Sequence, residues 1–262
     1  MKLAISGKGG VGKTTVAALL CRIMAERGKK VVAIDADPDA NLAGAIGINP
    51  EEAERIKPIT DMPELIEERT GVRPGSGDTF FKLNPRVDDL PDLYGKEFEG
   101  IKILTLGHYK QGGAGCYCAE NVMIKSLINH LLLRSNEALV IDMEAGIEHL
   151  SRGTAASVDA MIVVVEPGSR SIDTAKRIKK LTSDLGIRYY FIVANKIRSS
   201  EDREYINDSF EVGQIIGCLP YSDEIAHADQ ESRSPYRTSS QITEEISCIL
   251  DALEGTLRRN GS

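Results

Sequence analysis

A chain of 262 residues, 42% apolar and 27% charged, has the composition of a folded globular protein and the length to bury one large α/β domain. Its formal net charge of −7 argues against broad, sequence-independent binding to DNA, which needs a basic face to displace counterions, and no apolar run is long enough to span a bilayer. The first predicted strand begins at Lys2 and leaves no room for the charged and apolar regions of a secretory leader, so the expected location is the cytoplasm, with cysteines as reduced thiols.

The apolar run Leu3 to Ser6 predicts that strand, and Gly7-Lys8-Gly9-Gly10-Val11-Gly12-Lys13-Thr14-Thr15 follows it directly. The spacing from Gly7 to Thr14 is that of a phosphate-binding loop. In such a loop Gly9, Gly10, Val11 and Gly12 turn backbone amides toward phosphate oxygens and Lys13 reaches the β- and γ-phosphates. Thr14 offers its hydroxyl to magnesium, and Thr15 completes the nucleotide contacts. Helical spacing of Val16, Leu19, Leu20, Ile23 and Met24 continues the motif, so a helix opening at Lys13 adds its positive end to the site.

Gly28 stops that helix before a strand from Lys30 to Ile34, which ends in Asp35-Ala36-Asp37-Pro38-Asp39. Phosphoryl transfer to water needs a positioned water molecule and compensation of charge on the phosphoryl oxygens. Asp37 is the candidate for placing that water. The stretch 71–100, with Arg73-Pro74-Gly75-Ser76-Gly77, Asn84-Pro85 and Leu90-Pro91, carries turn signals and is expected to be an irregular insertion within a single domain.

Further strands are predicted at 101–106, 138–141, 160–165, 189–194 and 214–219, each followed by a loop or helical pattern. Such alternation predicts a doubly wound α/β fold: a mostly parallel sheet flanked by helices, with ligands beyond the carboxyl ends of its strands. The run Leu139 to Ile141 ends in Asp142-Met143-Glu144-Ala145-Gly146. Asp142 is expected to hold magnesium through its water shell, and Gly146 to let the next loop approach the γ-phosphate, with Glu144, Glu148 and His149 flanking it. A last helix, about 242–257, places Ile242, Ile246, Ile249, Leu250, Leu253 and Leu257 on one stripe opposite Glu244, Glu245 and Asp251. Cys21, Cys218 and Cys248 fall in apolar patterns where a thiol is a small buried hydrophobe, which leaves Cys116 and Cys118 as the chemical pair.

Lys8 is surplus to its own loop, because Lys13 already serves the local phosphates. A second cation has a role if it enters the site of a facing subunit, as an arginine finger does, which is worth about 10³ to 10⁵ in rate. Lys8 is therefore grouped with Lys13 and Asp37 as catalytic.

The Gly7 to Thr15 loop with Lys8, the Asp35-Ala36-Asp37-Pro38 station and Asp142 resemble the MinD, ParA and nitrogenase-iron-protein class of dimerising ATPases. Asn195, before Lys196, resembles the adenine-reading position of that class, and Pro220 is grouped with it as a nucleotide contact. Within the class, Gly112 to Asn121, Asp142 to Leu150 and Arg152-Gly153-Thr154 resemble the CooC-type nickel-insertion ATPases of carbon monoxide dehydrogenase maturation. The resemblance covers nearly the whole chain. It implies an ATP-hydrolysing homodimer that carries Ni(II) or Zn(II) on Cys116 and Cys118, with carbon monoxide dehydrogenase or acetyl-CoA synthase as client.

The chemistry of the pair agrees with that implication. Residues two apart in an extended segment point to one side, so Cys116 and Cys118 can present both sulfurs while Tyr117 faces away. A symmetric dimer would supply four thiolates, suited to tetrahedral zinc, an iron–sulfur cluster or nickel. Two other readings share these residues. One is a cluster-carrying ATPase or reductase, although the nitrogenase iron protein draws its cysteines from two separated loops. The other is a ParA- or MinD-like positioning ATPase on DNA or membrane, disfavoured by the acidic balance and the acidic last helix.

Overall fold

The computed structural model describes residues 1–76, 82, 84–107, 119–130, 136–144 and 158–259. Among the described residues eight strands are β1 (Lys2–Ser6), β2 (Lys30–Ala36), β3 (Lys96–Phe98), β4 (Ile101–Thr105), β5 (Glu137–Met143), β6 (Ala160–Val165), β7 (Tyr189–Ile197) and β8 (Ile215–Pro220). Among the described residues the helices are α1 (Lys13–Glu26), α2 (Leu42–Ile46), α3 (Pro50–Ala53), α4 (Pro63–Thr70) and α5 (Leu90–Tyr94), then α6 (Ala119–His130), α7 (Ser169–Asp184), α8 (Ser200–Ser209), α9 (Asp223–Gln230) and α10 (Ser240–Arg259).

The strands form one sheet in the order β3-β4-β2-β5-β1-β6-β7-β8. All neighbours are parallel except β3, which pairs antiparallel with β4. The chain leaves β1 toward one edge, returns to insert β5 beside β1, and then builds β6, β7 and β8 on the other side. This reversal around β1 opens a crevice at the strands' carboxyl ends, where the phosphate loop begins.

Alternation explains why both faces are covered. On β1, Leu3 and Ile5 enter the apolar cluster shared with α1 and α10, whereas Ala4 enters the cluster shared with α6, α7 and α8. On β6, Ala160, Ile162 and Val164 face the first cluster and Met161, Val163 and Val165 the second. Strands buried on both sides read as continuous apolar runs, as 160–165 does.

Within 71–100, residues 90–94 are helical and 96–98 form the antiparallel edge strand. Glu99 and Gly100, with φ of 44° and 81°, make the tight hairpin that returns the chain into β4. Cys21 is buried as expected, and burial holds its thiol far above the ordinary range. Cys218 is only partly buried and Cys248 is exposed, correcting the expectation of two further core thiols; Cys248 lies off the apolar stripe of α10. No helix among the described residues is long and apolar enough to cross a membrane.

Candidate nucleotide site

The phosphate loop joins β1 to α1 with Gly7, Gly10 and Gly12 at φ of 149°, 80° and 94°. A side chain on Gly7 would collide with the Val164 carbonyl, and one on Gly12 with the Asn195 carboxamide, so both glycines are required by close approach as well as by conformation. Gly9 and Gly10 are exposed, Thr14 and Thr15 are half-buried, and Val11 anchors the loop in the core. Lys13 is buried at the first turn of α1, a 14-residue helix whose N-terminus has no side-chain cap. Its first amides and positive dipole end thus face the crevice, an arrangement suited to phosphate.

Two acids form the floor. Asp35 on β2 and Asp142 on β5 are partners in the parallel register, and Asp142 is also level with Ile5 on β1, one residue before the sheet gives way to the loop. Burial pushes the Asp35 carboxyl up to about 7, and the Asp142 charge adds to the shift; N–H groups donated by Leu42 at 2.9 Å and Asp37 at 3.2 Å act against it. Those two bonds make Asp35 the organiser of the turn that presents Asp37, a role the sequence reading left to the motif as a whole. Asp37 is partly exposed at the crevice, and its Oδ1 accepts the Asp39 N–H at 3.0 Å.

Burial likewise raises Asp142, to about 6, with Thr14 and Lys13 pulling the other way. Neither oxygen of Asp142 has a hydrogen-bond partner among the described residues, although both are buried. An acid so placed, beside a threonine hydroxyl and an ammonium, fits a hydrated magnesium ion on a bound nucleotide. Ser6 donates to the Glu144 carbonyl at 3.1 Å and ties the end of β5 to the start of the loop.

On the far side, β7 carries Asn195. Its Nδ2 donates to the Val11 carbonyl at 2.8 Å and its Oδ1 accepts the Lys196 N–H at 2.9 Å. One N–H and one lone pair of the carboxamide are left for a base edge. Pro220 ends β8 opposite Ile197, so the two expected nucleotide contacts lie near adjacent strand ends. Beside them the Arg198 guanidinium stacks on Tyr221, 3.5 Å from the ring centroid.

Glu166, which the sequence reading did not single out, stands where Lys8 and Lys196 meet. Its Oε1 lies 3.4 Å from Lys8 Nζ and its Oε2 3.6 Å from Lys196 Nζ. The signal would have been an acid directly after the apolar run 160–165, at a strand end beside β1.

Cys116 and Cys118 lie outside the described residues, as do Gly146, Glu148 and His149. Their flanks are described. The Thr60 N–H donates to the Leu106 carbonyl at 3.0 Å, and Gly107, at φ 87°, packs so closely on Pro58 and Thr60 that a side chain would collide with both. Ala119 packs with Ile66 and Val72 in a small cluster of its own. Among the described residues, no group of three or more His, Cys, Asp or Glu side chains is arranged to hold a metal.

The family described as CobQ/CobB/MinD/ParA nucleotide binding domain matches residues 2–236. The chain is 44% identical over 253 residues to the carbon monoxide dehydrogenase accessory protein CooC of Rhodospirillum rubrum, covering 97% of this chain and 96% of the other. It is 42% identical over 254 residues to an uncharacterized ATP-binding protein of Methanocaldococcus jannaschii, covering 96% of each. Among solved structures, the septum site-determining protein MinD of Pyrococcus horikoshii, complexed with Mg-ADP, superposes with a TM-score of 0.66 at 20% identity, over 98% of both chains.

Proposed function

Since this chain belongs to the CobQ/CobB/MinD/ParA family of nucleotide-binding ATPases, we propose that it is a metallochaperone ATPase, acting as one domain and as a homodimer in the cytoplasm. Its cargo is Ni(II), with Zn(II) as competitor, held between two subunits by Cys116 and Cys118 of each. Its client is a nickel enzyme, carbon monoxide dehydrogenase or acetyl-CoA synthase. The observation that carries this reading is the 44% identity to the CooC accessory protein across almost the whole of both chains.

The chain's own residues suit hydrolysis of ATP to ADP and phosphate. The amides of residues 9–15 bind the phosphates, Lys13 neutralises the β- and γ-oxygens, and Asp37 orients the attacking water. Magnesium, when bound by Thr14 and through water by Asp142, supplies further compensation of phosphate charge. Asn195 and Pro220 receive the adenine. Lys8 of the partner subunit completes the charge balance, so that turnover waits for dimerisation. Hydrolysis then resets the pair and with it the shared thiolate site.

The test is metal analysis of the protein with ADP and with a non-hydrolysable ATP analogue, alongside oligomeric state. The expected result is one nickel per dimer whose retention depends on the nucleotide, and its loss in a Cys116→Ser/Cys118→Ser variant. Stoichiometric nickel in that variant overturns the assignment, and an iron-containing brown protein from anaerobic purification redirects it to a cluster carrier.

A further inference from the structure

Glu166 is the first residue past β6, and β6 lies between β1 and β7. Its carboxylate therefore stands between the phosphate loop that carries Lys8 and the end of β7 that carries Lys196, within ion-pair distance of both. Its main chain is fixed by an N–H donated at 3.1 Å to Ser171 Oγ, a buried side chain on the first turn of α7. Lys196, at φ 59°, also donates from Nζ to the Gly10 carbonyl at 2.5 Å. One carboxylate thus connects the exposed crown of the phosphate loop with the surplus lysine that precedes it.

The core does not need this charge. Side-chain exposures of 38% for Lys8, 40% for Lys196 and 26% for Glu166 describe a partly solvated pair of contacts. Contacts of that kind shift an equilibrium by about two- to fivefold. A nucleotide triphosphate arriving at the same loop brings several negative charges and competes for both ammonium groups.

We propose that Glu166 is a positioning residue that holds Lys8 against its own subunit until a triphosphate binds. The inference rests on the reading that Lys8 acts across the dimer. With the loop empty, Glu166 keeps Lys8 folded back and Lys196 pinned to Gly10. When both loops carry a triphosphate, the γ-phosphate of the facing subunit outcompetes Glu166 for the Lys8 ammonium, and Lys8 crosses to it. ATP, more than ADP, thereby licenses pairing of subunits.

Glu166→Gln keeps the shape and removes the charge. In the nucleotide-free protein, acylation of Lys8 by an N-hydroxysuccinimide ester, measured by peptide mass spectrometry against exposed Lys180, is expected to quicken about two- to fivefold. The protein concentration giving half-maximal ATP turnover per subunit is expected to fall by a similar factor, and Glu166→Asp, which keeps the charge, should return both readouts toward the wild type. Unchanged Lys8 acylation in Glu166→Gln overturns the proposal. So does an unchanged half-maximal concentration, provided wild-type turnover per subunit depends on protein concentration. Wild-type turnover independent of concentration overturns the dimer reading itself, and the release step with it.

Discussion

Asp35 and Asp142 are register partners on neighbouring parallel strands, each only 1% exposed, so two carboxyl groups share one dry floor beneath the phosphate loop. Both carboxyls are raised in the folded protein, to about 7 and about 6. The unfolded chain releases these protons near pH 4, so between roughly pH 4 and 7 the folded state binds protons that the unfolded state does not. Their contribution to stability is present at the acid end of that window and is lost as pH rises through it. The urea midpoint of nucleotide-free protein should therefore fall between pH 5.5 and 7.5 more steeply in the wild type than in Asp142→Asn. Equal slopes would show that Asp142 does not titrate in this window.

Asp142→Asn should move stability and function in opposite directions. Removing a buried charge whose desolvation outweighs the pull of Thr14 and Lys13 is expected to stabilise the nucleotide-free protein by roughly 1 kcal/mol at pH 8. The same change should weaken magnesium-dependent ATP binding by about tenfold or more, because the ion's second shell loses its anion. Denaturant titration and calorimetry with and without magnesium give the two halves; a variant that bound Mg-ATP normally would remove Asp142 from the site.

Gly12 is pressed between conformation and contact. In Gly12→Ala the methyl must displace the Asn195 carboxamide, and alanine must hold φ near 94°. A stability loss of about 1–3 kcal/mol is expected, together with weaker nucleotide binding as Asn195 leaves the Val11 carbonyl. Gly9→Ala, whose methyl meets nothing nearby, should stay within about 0.5 kcal/mol of the wild type in the same unfolding experiment.

Lys8→Ala should separate binding from turnover. Nucleotide affinity is expected to stay within about threefold, since Lys13 and the loop amides remain, whereas kcat should drop by roughly 10³ or more. Single-turnover measurements with labelled ATP distinguish the two, and undiminished hydrolysis would end the trans-lysine idea.

What could be read along the chain is what depends on neighbours in sequence. The phosphate loop, the runs 160–165 and 189–194, and the stripe of the last helix are local patterns, and each appears where its periodicity places it. Strand β7 continues to Ile197, past polar Asn195 and Lys196, because its pairing with β8 resumes at Ile197 after a register shift, which composition does not show. The three-residue strand β3, with one apolar side chain, is too short for any alternation to reveal. Glu166 was hidden for a different reason: its partners are 158 and 30 positions away, and only the insertion of β6 between β1 and β7 brings them together. Asp35 looked like part of an acidic turn, whereas burial and two N–H donors make it the turn's internal support.

Residues 58–72 receive the chain at Leu106 and Gly107 and again at Ala119. The end of β4 and the start of α6 are therefore seated on one and the same segment of the chain. Altering Thr60 or Ile66 would therefore disturb one of those two seats without touching a single atom of the nucleotide cradle.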